Sequence, residues 1–431
     1  FLEEIFDADD TSVLDTASSS AIFAIRQLAG LCAKVELECS PSRVQAAYHK
    51  YIECESQVQS FDQLLSRHSR DDFERVGRKL LTRVFTRVDG AVANQRLHPS
   101  HGPGQTADRL GGNAKYDLAE WTERMDRVFP SSDYLVPNFR FLPFLDRVVL
   151  REPGSEQPVK VVHVPKTLKT PRIIAMEPTC MMYMQQALWR EFKVELESDH
   201  LVGPMVGFTD QEPNRQLARK GSSDGSLATL DLSEASDRVS NQLVLGLMRN
   251  HPHLSDGVQA CRSTTASVPG HGIIPLSKFA SMGSALCFPM EAMVFLTIVL
   301  LGIERADGSV LTRERIKSLH GQVRVYGDDI IVPVQYAVSV VETLEEFGLK
   351  VNTKKSFWNG KFRESCGGDY WAGVNVTPVR ARQNLPISTE DATGPVAWSA
   401  FRNLAYERGF WRTVAALDNE LLAVLKGHYP V

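Results

Sequence analysis

The chain has 431 residues, of which 43% are hydrophobic and 23% are charged, a composition that is ordinary for a soluble globular protein. Its formal net charge of −4 excludes a generally basic surface, so any surface that binds nucleic acid must be local. The seven cysteines form no CxxC pair and no Cys/His cluster, which argues against a disulfide framework and a zinc site and favours a reducing compartment.

Residues 1–95 are predicted to be mostly helical. The stretch 18–37 has apolar residues at helical spacing behind a serine cap. The stretch 67–88 is amphipathic and basic, with the cations Arg75, Arg78, Lys79, Arg83 and Arg87. This pattern favours a solvated helix face, and the alternative is a helix that faces nucleic acid.

The stretch "HPSHGPGQTADRLGGN" (98–113) is rich in Gly and Pro, which predicts a loop. It is the best candidate for an internal boundary. From about residue 160 onward, short strand-like runs alternate with helical ones. That alternation predicts an α/β or α+β core.

A basic segment follows in "VHVPKTLKTPRIIAMEP" (162–178), where Lys166, Lys169 and Arg172 recur every third residue. Pro165 and Pro171 disfavour a long helix, so we expect an extended arm or a loop. A row of cations on such an arm is suited to hold a triphosphate and to neutralise its leaving group. The alternative is a solvated basic strand.

The stretch "SLATLDLSEASDRVS" (226–240) is apolar up to Asp231 and then polar and helical in pattern. This order predicts that Asp231 lies at the carboxyl end of a strand, where open sheets bind ligands. The alternative interpretation makes Asp231 a helix cap and Asp237 a solvated acid.

The stretch "SKFASMGSALCFPMEAMVF" (277–295) predicts a small flexible loop, Ser281 to Ser284, before a buried helix. Small residues allow a backbone to approach a nucleic-acid strand closely, although a plain loop at a helix start has the same pattern. The apolar run 292–303 is too short to span a bilayer and indicates a buried helix.

Two adjacent acids, Asp328 and Asp329, interrupt the β-branched run "VRVYGDDIIVPV" (323–334). The pattern predicts two antiparallel strands joined by a tight Gly-Asp turn, with both acids at its tip. Carboxylates in that position suit hard divalent cations, which take oxygen ligands, whereas a plain hairpin uses Gly-Asp for its turn alone. A third carboxylate, Asp231, would complete a site for two cations that catalyses phosphoryl transfer.

In "VVETLEEFGLKVNTKKSF" (340–357) a helical apolar stripe ends at Gly348, which is well placed as its C-cap. Lys354 and Lys355 follow. A lysine here is a candidate proton donor to departing pyrophosphate, and the alternative is a pair of solvated lysines.

Taken in order, the basic arm, the Asp-x5-Asp strand end, the Ser-x-Gly loop and Tyr-Gly-Asp-Asp resemble motifs F, A, B and C of viral RNA-dependent RNA polymerases. Between roughly 160 and 380, "GSSDGSLATLDLSEASDRVS", "SMGS", "YGDDIIVP", "NTKKSF" and "FRESCGGDYWAGVNVTP" resemble the replicase catalytic subunit of positive-strand RNA bacteriophages, the leviviruses.

The resemblance implies an α+β right-hand fold with fingers, palm and thumb. It predicts an N-terminal and fingers region (1–225, with the basic arm at 160–178), a palm with motifs A to E (226–382) and a thumb start (383–431). A fingers insertion is expected around 241–270. Because the chain begins at Phe1 and the family's chains are usually longer at the C-terminus, we expect a fragment with a truncated thumb.

Residue roles are implied by position within the resembling motifs. Asp231 and Asp328 are the expected main ligands of two Mg²⁺ ions, for which Mn²⁺ can substitute, with Asp329 supporting, and Lys355 is the expected catalytic lysine. The expected nucleotide-binding residues are Lys166, Lys169, Arg172, Ser236, Asp237, Ser281 and Gly283, of which Asp237 and Ser281 lie near the ribose. The expected RNA contacts are Tyr326, Phe362, Arg363 and Ser365.

The chain departs from the family's motif B at Ser284, Ala285 and Cys287, and it has Glu291 where many RNA polymerases have Asn. The implied activity is RNA-templated RNA synthesis in the cytoplasm of an infected bacterium. The implied partners are template and nascent RNA, host elongation factors Tu and Ts and a small-subunit ribosomal protein, with no membrane.

Two other functions remain open. A reverse transcriptase shares the Tyr-x-Asp-Asp hairpin, but it would need a bulky gate near the ribose, and Ser233 to Ser236 provide none. A non-catalytic RNA-binding subunit is disfavoured by the retention of all three carboxylates and the basic row.

Overall fold

The structure is a computed structural model that describes residues 2–7, 13–110, 112–166, 170–386 and 392–426. The α-helices are α1 (Ser19–Gly30), α2 (Pro41–Leu64), α3 (Arg67–Ala93), α4 (Glu123–Asp126), α5 (Ser131–Tyr134), α6 (Thr179–Ser198), α7 (Glu212–Asp224), α8 (Asn241–Met248), α9 (Pro252–Cys261), α10 (Cys287–Asp307), α11 (Arg313–Ser318), α12 (Ala337–Glu346), α13 (Thr393–Glu407) and α14 (Trp411–Leu425).

The strands are β1 (Glu120–Thr122), β2 (Val149–Arg151), β3 (Val159–Val164), β4 (Arg172–Met176), β5 (Leu227–Ser233), β6 (Thr265–Val268), β7 (Gly272–Pro275), β8 (Arg324–Tyr326), β9 (Asp329–Pro333), β10 (Lys350–Val351), β11 (Phe362–Ser365), β12 (Gly368–Trp371) and β13 (Val374–Asn375). Helices and largely antiparallel sheets occupy separate layers, so the predicted α+β class is confirmed.

The sheet that carries the predicted acids has the strand order β10-β5-β9-β8, and its pairs are antiparallel. Ile330, Ile331 and Val332 of β9 are fully buried, which means that both faces of this strand are covered. Burial on both faces explains why the sequence shows a continuous apolar run here instead of alternation. Helices α10 and α12 pack against each other and against the edge strands.

Helix α10 is the predicted buried helix. Among the described residues it is the one helix long and apolar enough to cross a membrane, yet 94% of its apolar window is buried inside the protein. Met293, Phe295 and Ile298, for example, are fully buried. The prediction of a core helix is therefore confirmed, although the helix is longer than the apolar run 292–303 indicated.

Helix α3 packs against α6, α8, α9 and α10, and its cations attach it to them. The Nζ of Lys79 donates to the carbonyl of Leu311. The ion pairs to neighbouring elements are Arg75–Glu304, Arg83–Asp199 and Arg87–Glu195. Arg78, Arg83 and Arg87 are exposed, as the favoured interpretation of a solvated helix face predicts, whereas Arg75 and Lys79 are half-buried. The alternative, a face for nucleic acid, stays a prediction.

The predicted basic arm is a β-hairpin formed by β3 and β4, and it belongs to a second sheet of order β4-β3-β6-β7. Residues 167–169, between β3 and β4 in the sequence, lie outside the described residues. Helix α2 covers this sheet. Tyr48 and Tyr51 of α2, together with Val161, Ala175 and Ala266, form a small hydrophobic core separate from the main one.

A third sheet, β11-β12-β13, packs against α7. Asp369 of β12 is 1% exposed and forms ion pairs with Arg26 of α1 and Arg380. The N-terminal helix is thus attached to the segment that follows this sheet. Helix α1 is shorter than the stretch 18–37 predicted, and Ser18 at its N-cap makes no side-chain cap bond.

The loop at 98–113 does not separate two hydrophobic cores. One main core contains Phe73 and Leu80, which precede the loop, together with Phe192 and Phe295, which follow it. The division into a fingers region, palm and thumb therefore stays a prediction.

Candidate active site

The acidic turn joins β8 to β9 through two residues, Gly327 and Asp328. Gly327 has a φ of 59°, and an added Cβ would lie 2.6 Å from the ring of Phe288, so both the backbone and the neighbour require glycine here. Only Asp328 lies at the tip. The expectation that both acids do so is wrong, because Asp329 is the first residue of β9.

Asp231 lies on β5 directly opposite Asp329 in the antiparallel register. Directly opposed residues share one face of a sheet, so the register brings the two stretches of sequence together at the turn. Asp231 lies two residues before the end of its strand and not at its last position. Its pKa is raised by burial and by Asp328, whereas Lys355 and Asn352 lower it.

The carboxylate of Asp329 is already hydrogen-bonded. Its Oδ1 accepts from the amide of Cys366 at 3.0 Å and from the hydroxyl of Ser365 at 3.2 Å. Burial raises its pKa to about 6 in spite of these bonds, and the neighbouring acids add to the shift. Asp329 thus connects the acidic turn to β11 and the turn that follows it.

Asn352 and Lys355, which follow β10, both contact the carboxylate of Asp231. The amide Nδ2 of Asn352 donates to Asp231 Oδ2 at 2.9 Å, and Lys355 Nζ lies 3.8 Å from Asp231 Oδ1. The Lys355 side chain is 56% exposed, so it is free to turn toward a bound phosphate. The structure therefore places the predicted lysine next to the predicted carboxylate.

Cations face these acids across a cavity of about 640 Å³. Lys166 and Arg172 line it together with Asp231, Asp328 and Lys355. Burial lowers the pKa of Lys166, and the positive charges of Arg172, Lys355 and Lys34 lower it further. Such mutual repulsion is what a polyanion between the cations would relieve. Lys169 lies outside the described residues.

Lys34, which the sequence interpretation missed, belongs to the same electrostatic group. Its pKa is lowered by burial, by Arg380 and by Lys355. Lys34 is a single lysine between α1 and α2, and no local sequence pattern indicates that it lies near Lys166 and Lys355.

The predicted ribose-side residues Asp237 and Ser281 are in contact, and Asp237 lines the cavity. Ser281 Oγ donates to Asp237 Oδ1 at 2.8 Å, and Ser236 begins the short 3₁₀ turn that carries Asp237. Both Ser236 and Asp237 line the cavity, as does Gly283. The structure therefore supports a shared location for these residues, and their roles remain predictions.

Gly283 fixes the position of this loop against β4. Its φ is 129°, and an added Cβ would lie 2.0 Å from the carbonyl oxygen of Ala175, whose own amide donates to Met282 at 2.9 Å. No side chain fits without separating the loop from the hairpin.

Gly283→Ala is expected to lower the free energy of unfolding by about 2 kcal/mol and to raise the KM for nucleotide, because the strained backbone and the collision displace the loop. Chemical denaturation and steady-state incorporation measure the two effects. Gly104→Ala is the matched control, since nothing lies within 4 Å of its added Cβ. Equal stability of both variants would contradict the close approach.

The four predicted RNA contacts have different surroundings. Tyr326 is half-buried and donates from its hydroxyl to the carbonyl of Phe208 at 3.2 Å, while Phe362 packs on Phe357. Arg363 and Ser365 are each 1% exposed. The prediction that Arg363 and Ser365 contact RNA is wrong for this structure, because their polar atoms are buried and bonded within the protein.

Glu291 of α10 lines the floor of the cavity and is 7% exposed. Its pKa is raised well above the usual range by burial, and Asp328 and Asp237 raise it further. Both effects favour the neutral form of the side chain. An acid within the apolar run "FPMEAMVF" was the available sequence signal.

Glu291→Gln is expected to flatten the dependence of stability on pH. A folded-state pKa above the unfolded value stabilises the fold at low pH, and this contribution is lost as the pH rises through the folded value. Denaturant unfolding of ligand-free protein from mildly acidic to mildly basic pH measures it. Glu342→Gln, on the exposed face of α12, is the control, and an unchanged pH profile in Glu291→Gln would contradict the raised pKa of Glu291.

The oxygen donors of the three acids decide whether they suit Mg²⁺. Among the described residues, no three His, Cys, Asp or Glu side chains form a ready-made metal site. Asp231 and Asp328 nevertheless line one cavity and offer oxygen donors only, and the charge of Asp328 raises the pKa of Asp231, an effect that a hard cation would reverse. These two residues fit such an ion, whereas Asp329 is engaged by Ser365 and Cys366.

Comparison with known proteins assigns the chain to a family. Residues 37–390 match the family model described as RNA replicase, beta-chain, and the chain therefore belongs to that family. Its relatives include the RNA-directed RNA polymerase beta chain of Enterobacteria phage fr, 37% identical over 52% of this chain and 38% of the relative.

The corresponding subunit of Enterobacteria phage SP is 33% identical over 72% of this chain and 50% of its own length. That of Escherichia virus Qbeta is 34% identical over 52% of this chain and 36% of its own length. The chain thus spans half or less of the length of these curated relatives.

Solved structures give remote likenesses. An insertion-loop deletion mutant of the RNA-dependent RNA polymerase of a human picorbirnavirus has a TM-score of 0.43 and 10% identity, covering 62% of this chain and 57% of its own. The BmCPV RNA-dependent RNA polymerase at elongation state has a TM-score of 0.44 and 14% identity, and the match covers 77% of this chain and 31% of that polymerase.

Proposed function

We propose that the chain carries the catalytic centre of an RNA-directed RNA polymerase, which copies phage RNA from ribonucleoside triphosphates. The observation that carries the proposal is one cavity lined by the carboxylates of Asp231, Asp328 and Asp237 and by the cations Lys166 and Arg172. Ser281 bonds the Asp237 carboxylate. These groups match the parts of a nucleoside triphosphate and the ions that accompany it. Membership of the replicase family supports the same activity.

Asp231 and Asp328 are the proposed holders of two Mg²⁺ ions, or of Mn²⁺ in their place. Such ions lower the pKa of the attacking 3′-hydroxyl and offset the charge of the departing pyrophosphate. The carboxylates fix where that hydroxyl meets the α-phosphate. Asp329 is proposed to hold the turn in place through its bonds to β11 and Cys366.

The cations act on the polyphosphate. Lys166 and Arg172 are proposed to bind its oxygens, with Lys169 as a further candidate, and charge-assisted hydrogen bonds of this kind are stronger than neutral ones. Lys355 Nζ is proposed to leave Asp231 when the charge there is neutralised and to donate a proton to pyrophosphate. This step uses the exposure of the Lys355 side chain.

An RNA synthesis assay tests the proposal. Purified protein is given an RNA template, with or without a primer, Mg²⁺ and either ribonucleotides or deoxyribonucleotides. Extension with ribonucleotides is expected. Preferential use of deoxyribonucleotides would identify a reverse transcriptase, and absence of extension with and without host factors would identify a non-catalytic subunit.

Host elongation factors Tu and Ts and a small-subunit ribosomal protein are proposed partners on the family resemblance, with the cytoplasm of the infected bacterium as the location. The relatives are phage proteins, which supports a bacterial host. Co-purification of the tagged chain from bacterial extract tests the partners, and recovery of the chain without them would contradict the proposal for this region.

A further inference from the structure

A buried ammonium group lies beneath the ribose side of the cavity. Lys278 is 0% exposed, and its Nζ lies 3.1 Å from Asp237 Oδ1, 3.5 Å from Glu55 Oε2 and 3.4 Å above the ring centre of Tyr51. Burial alone would lower the pKa of Lys278, but the two acids raise it. The cation is therefore compensated on every side that the structure describes and is not available to substrate.

A chain of hydrogen bonds leads from α2 to the same carboxylate. Ser281 Oγ donates to Asp237 Oδ1 at 2.8 Å, and the Tyr51 hydroxyl lies 3.0 Å from Ser281 Oγ. Since the single proton of Ser281 goes to a carboxylate, which only accepts, the tyrosine must donate to the serine. One lone pair of Ser281 Oγ is then left for a further donor.

Helix α2 is fixed at this point by Glu55. Its Oε1 accepts from the backbone amides of Ser277 and Lys278, the latter at 3.1 Å. The helix, Lys278 and the Ser281 loop thus form one bonded unit, although Glu55 and Lys278 are 223 residues apart. Tyr51 is 4% exposed and its hydroxyl cannot swing out to solvent without breaking the unit.

We propose that Tyr51 and Lys278 are positioning residues that set ribose selection. The inference rests on the proposed function and adds two residues that are not among the predicted site residues. Lys278 holds the Asp237 carboxylate, which lines the cavity, and Tyr51 occupies one acceptor position of Ser281, which leaves one acceptor position beside that carboxylate. That acceptor takes a hydrogen bond from the 2′-hydroxyl of a ribonucleotide and stays unsatisfied with a deoxyribonucleotide.

The expected selectivity follows from this unsatisfied acceptor, because a site built to bond a substrate hydroxyl rejects the analogue that lacks it. Without the tyrosine hydroxyl, the Ser281 side chain can rotate, and its oxygen can accept hydrogen bonds from other donors. The loss affects binding of the ribose and leaves the reacting phosphate untouched.

Tyr51→Phe tests the proposal, since it removes one oxygen and keeps the ring above Lys278. Single-nucleotide incorporation is measured with a ribonucleotide and its 2′-deoxy analogue. The KM for the ribonucleotide is expected to rise about three- to tenfold, the size of one hydrogen bond, with kcat nearly unchanged. The constants for the deoxy analogue stay unchanged, so discrimination falls by the same factor.

Tyr48→Phe is the matched control on the same helix. The Tyr48 hydroxyl bonds His163 Nδ1 at 2.8 Å and is also buried, but it does not line the cavity. A comparable loss of stability without a change in discrimination is expected. If both variants change discrimination alike, or Tyr51→Phe raises KM equally for both nucleotides, the proposal is overturned.

A double-mutant cycle with Ser281→Ala separates action through the serine from a general effect. Tyr51→Phe added to Ser281→Ala is expected to have no further effect on discrimination, because the two residues act through one bond. Full additivity would overturn the proposal. Failure of the unaltered protein to incorporate ribonucleotides at all would instead refute the proposed function.

Discussion

Asp328→Asn is expected to reduce RNA synthesis by about a thousandfold, because several kcal/mol of charge stabilisation disappear with the carboxylate at the tip of the turn. The substitution keeps the size of the side chain. RNA binding should persist, since Asp328 carries the wrong charge to attract phosphates. Primer extension and fluorescence anisotropy with labelled RNA measure the two effects.

Two comparisons sharpen this result. Asp256→Asn, an exposed acid of α9, is the control for the loss of one charge and should leave synthesis unchanged. Asp329→Asn should cost less than Asp328→Asn, because its carboxylate bonds Ser365 and Cys366 and an amide oxygen can still accept from both. Extension at the unaltered rate by Asp328→Asn would refute the assignment of this turn.

Arg363→Met is expected to lower the free energy of unfolding by about 3 kcal/mol or more, because several buried carbonyls lose their donor at roughly 1 kcal/mol or more each. The guanidinium of Arg363 is 1% exposed and donates to Leu227 at 2.6 Å and to Phe362 at 2.7 Å. Its other acceptors are the carbonyls of Trp358, Asn359 and Gly360.

Urea denaturation measures this loss. Arg219→Met is the matched control: Arg219 is exposed and donates to the carbonyl of Gly373 at 2.9 Å. The control should change stability by less than about 0.5 kcal/mol. Stability of Arg363→Met equal to that of the control would show that the bonds of Arg363 are offset by its buried charge.

The acidic centre could be predicted from sequence because its signals are local. A glycine at a tight turn, β-branched flanks and two acids define the hairpin around Asp328 without any knowledge of the rest of the fold. The order of the motifs then indicated Asp231 as its neighbour, and the antiparallel register of β5 and β9 places it there. The position of Asp329 could not be predicted, since a shift of one residue in the strand register decides whether it lies in the turn or in β9.

The role of Arg363 could not be predicted for a different reason. An arginine that binds RNA and one that binds buried carbonyls are the same letter in the sequence, and only tertiary packing distinguishes them. The same holds for the cations of α3, whose partners Glu195 and Glu304 are over 100 residues away. Tyr51 and Ser281 are separated by 230 residues, so no local pattern indicates their contact.

The main hydrophobic core and the small core under the second sheet both contribute residues near the cavity. Tyr51 and Ala175 belong to the small core under the second sheet, whereas Val239 and Leu286 belong to the main core. The ribose side of the cavity therefore lies at the boundary between these two hydrophobic cores. The hydrogen bond from Tyr51 to Ser281 is at that boundary. A displacement of one core relative to the other would therefore change the distance between the Tyr51 hydroxyl and Ser281 Oγ, which is 3.0 Å in the structure.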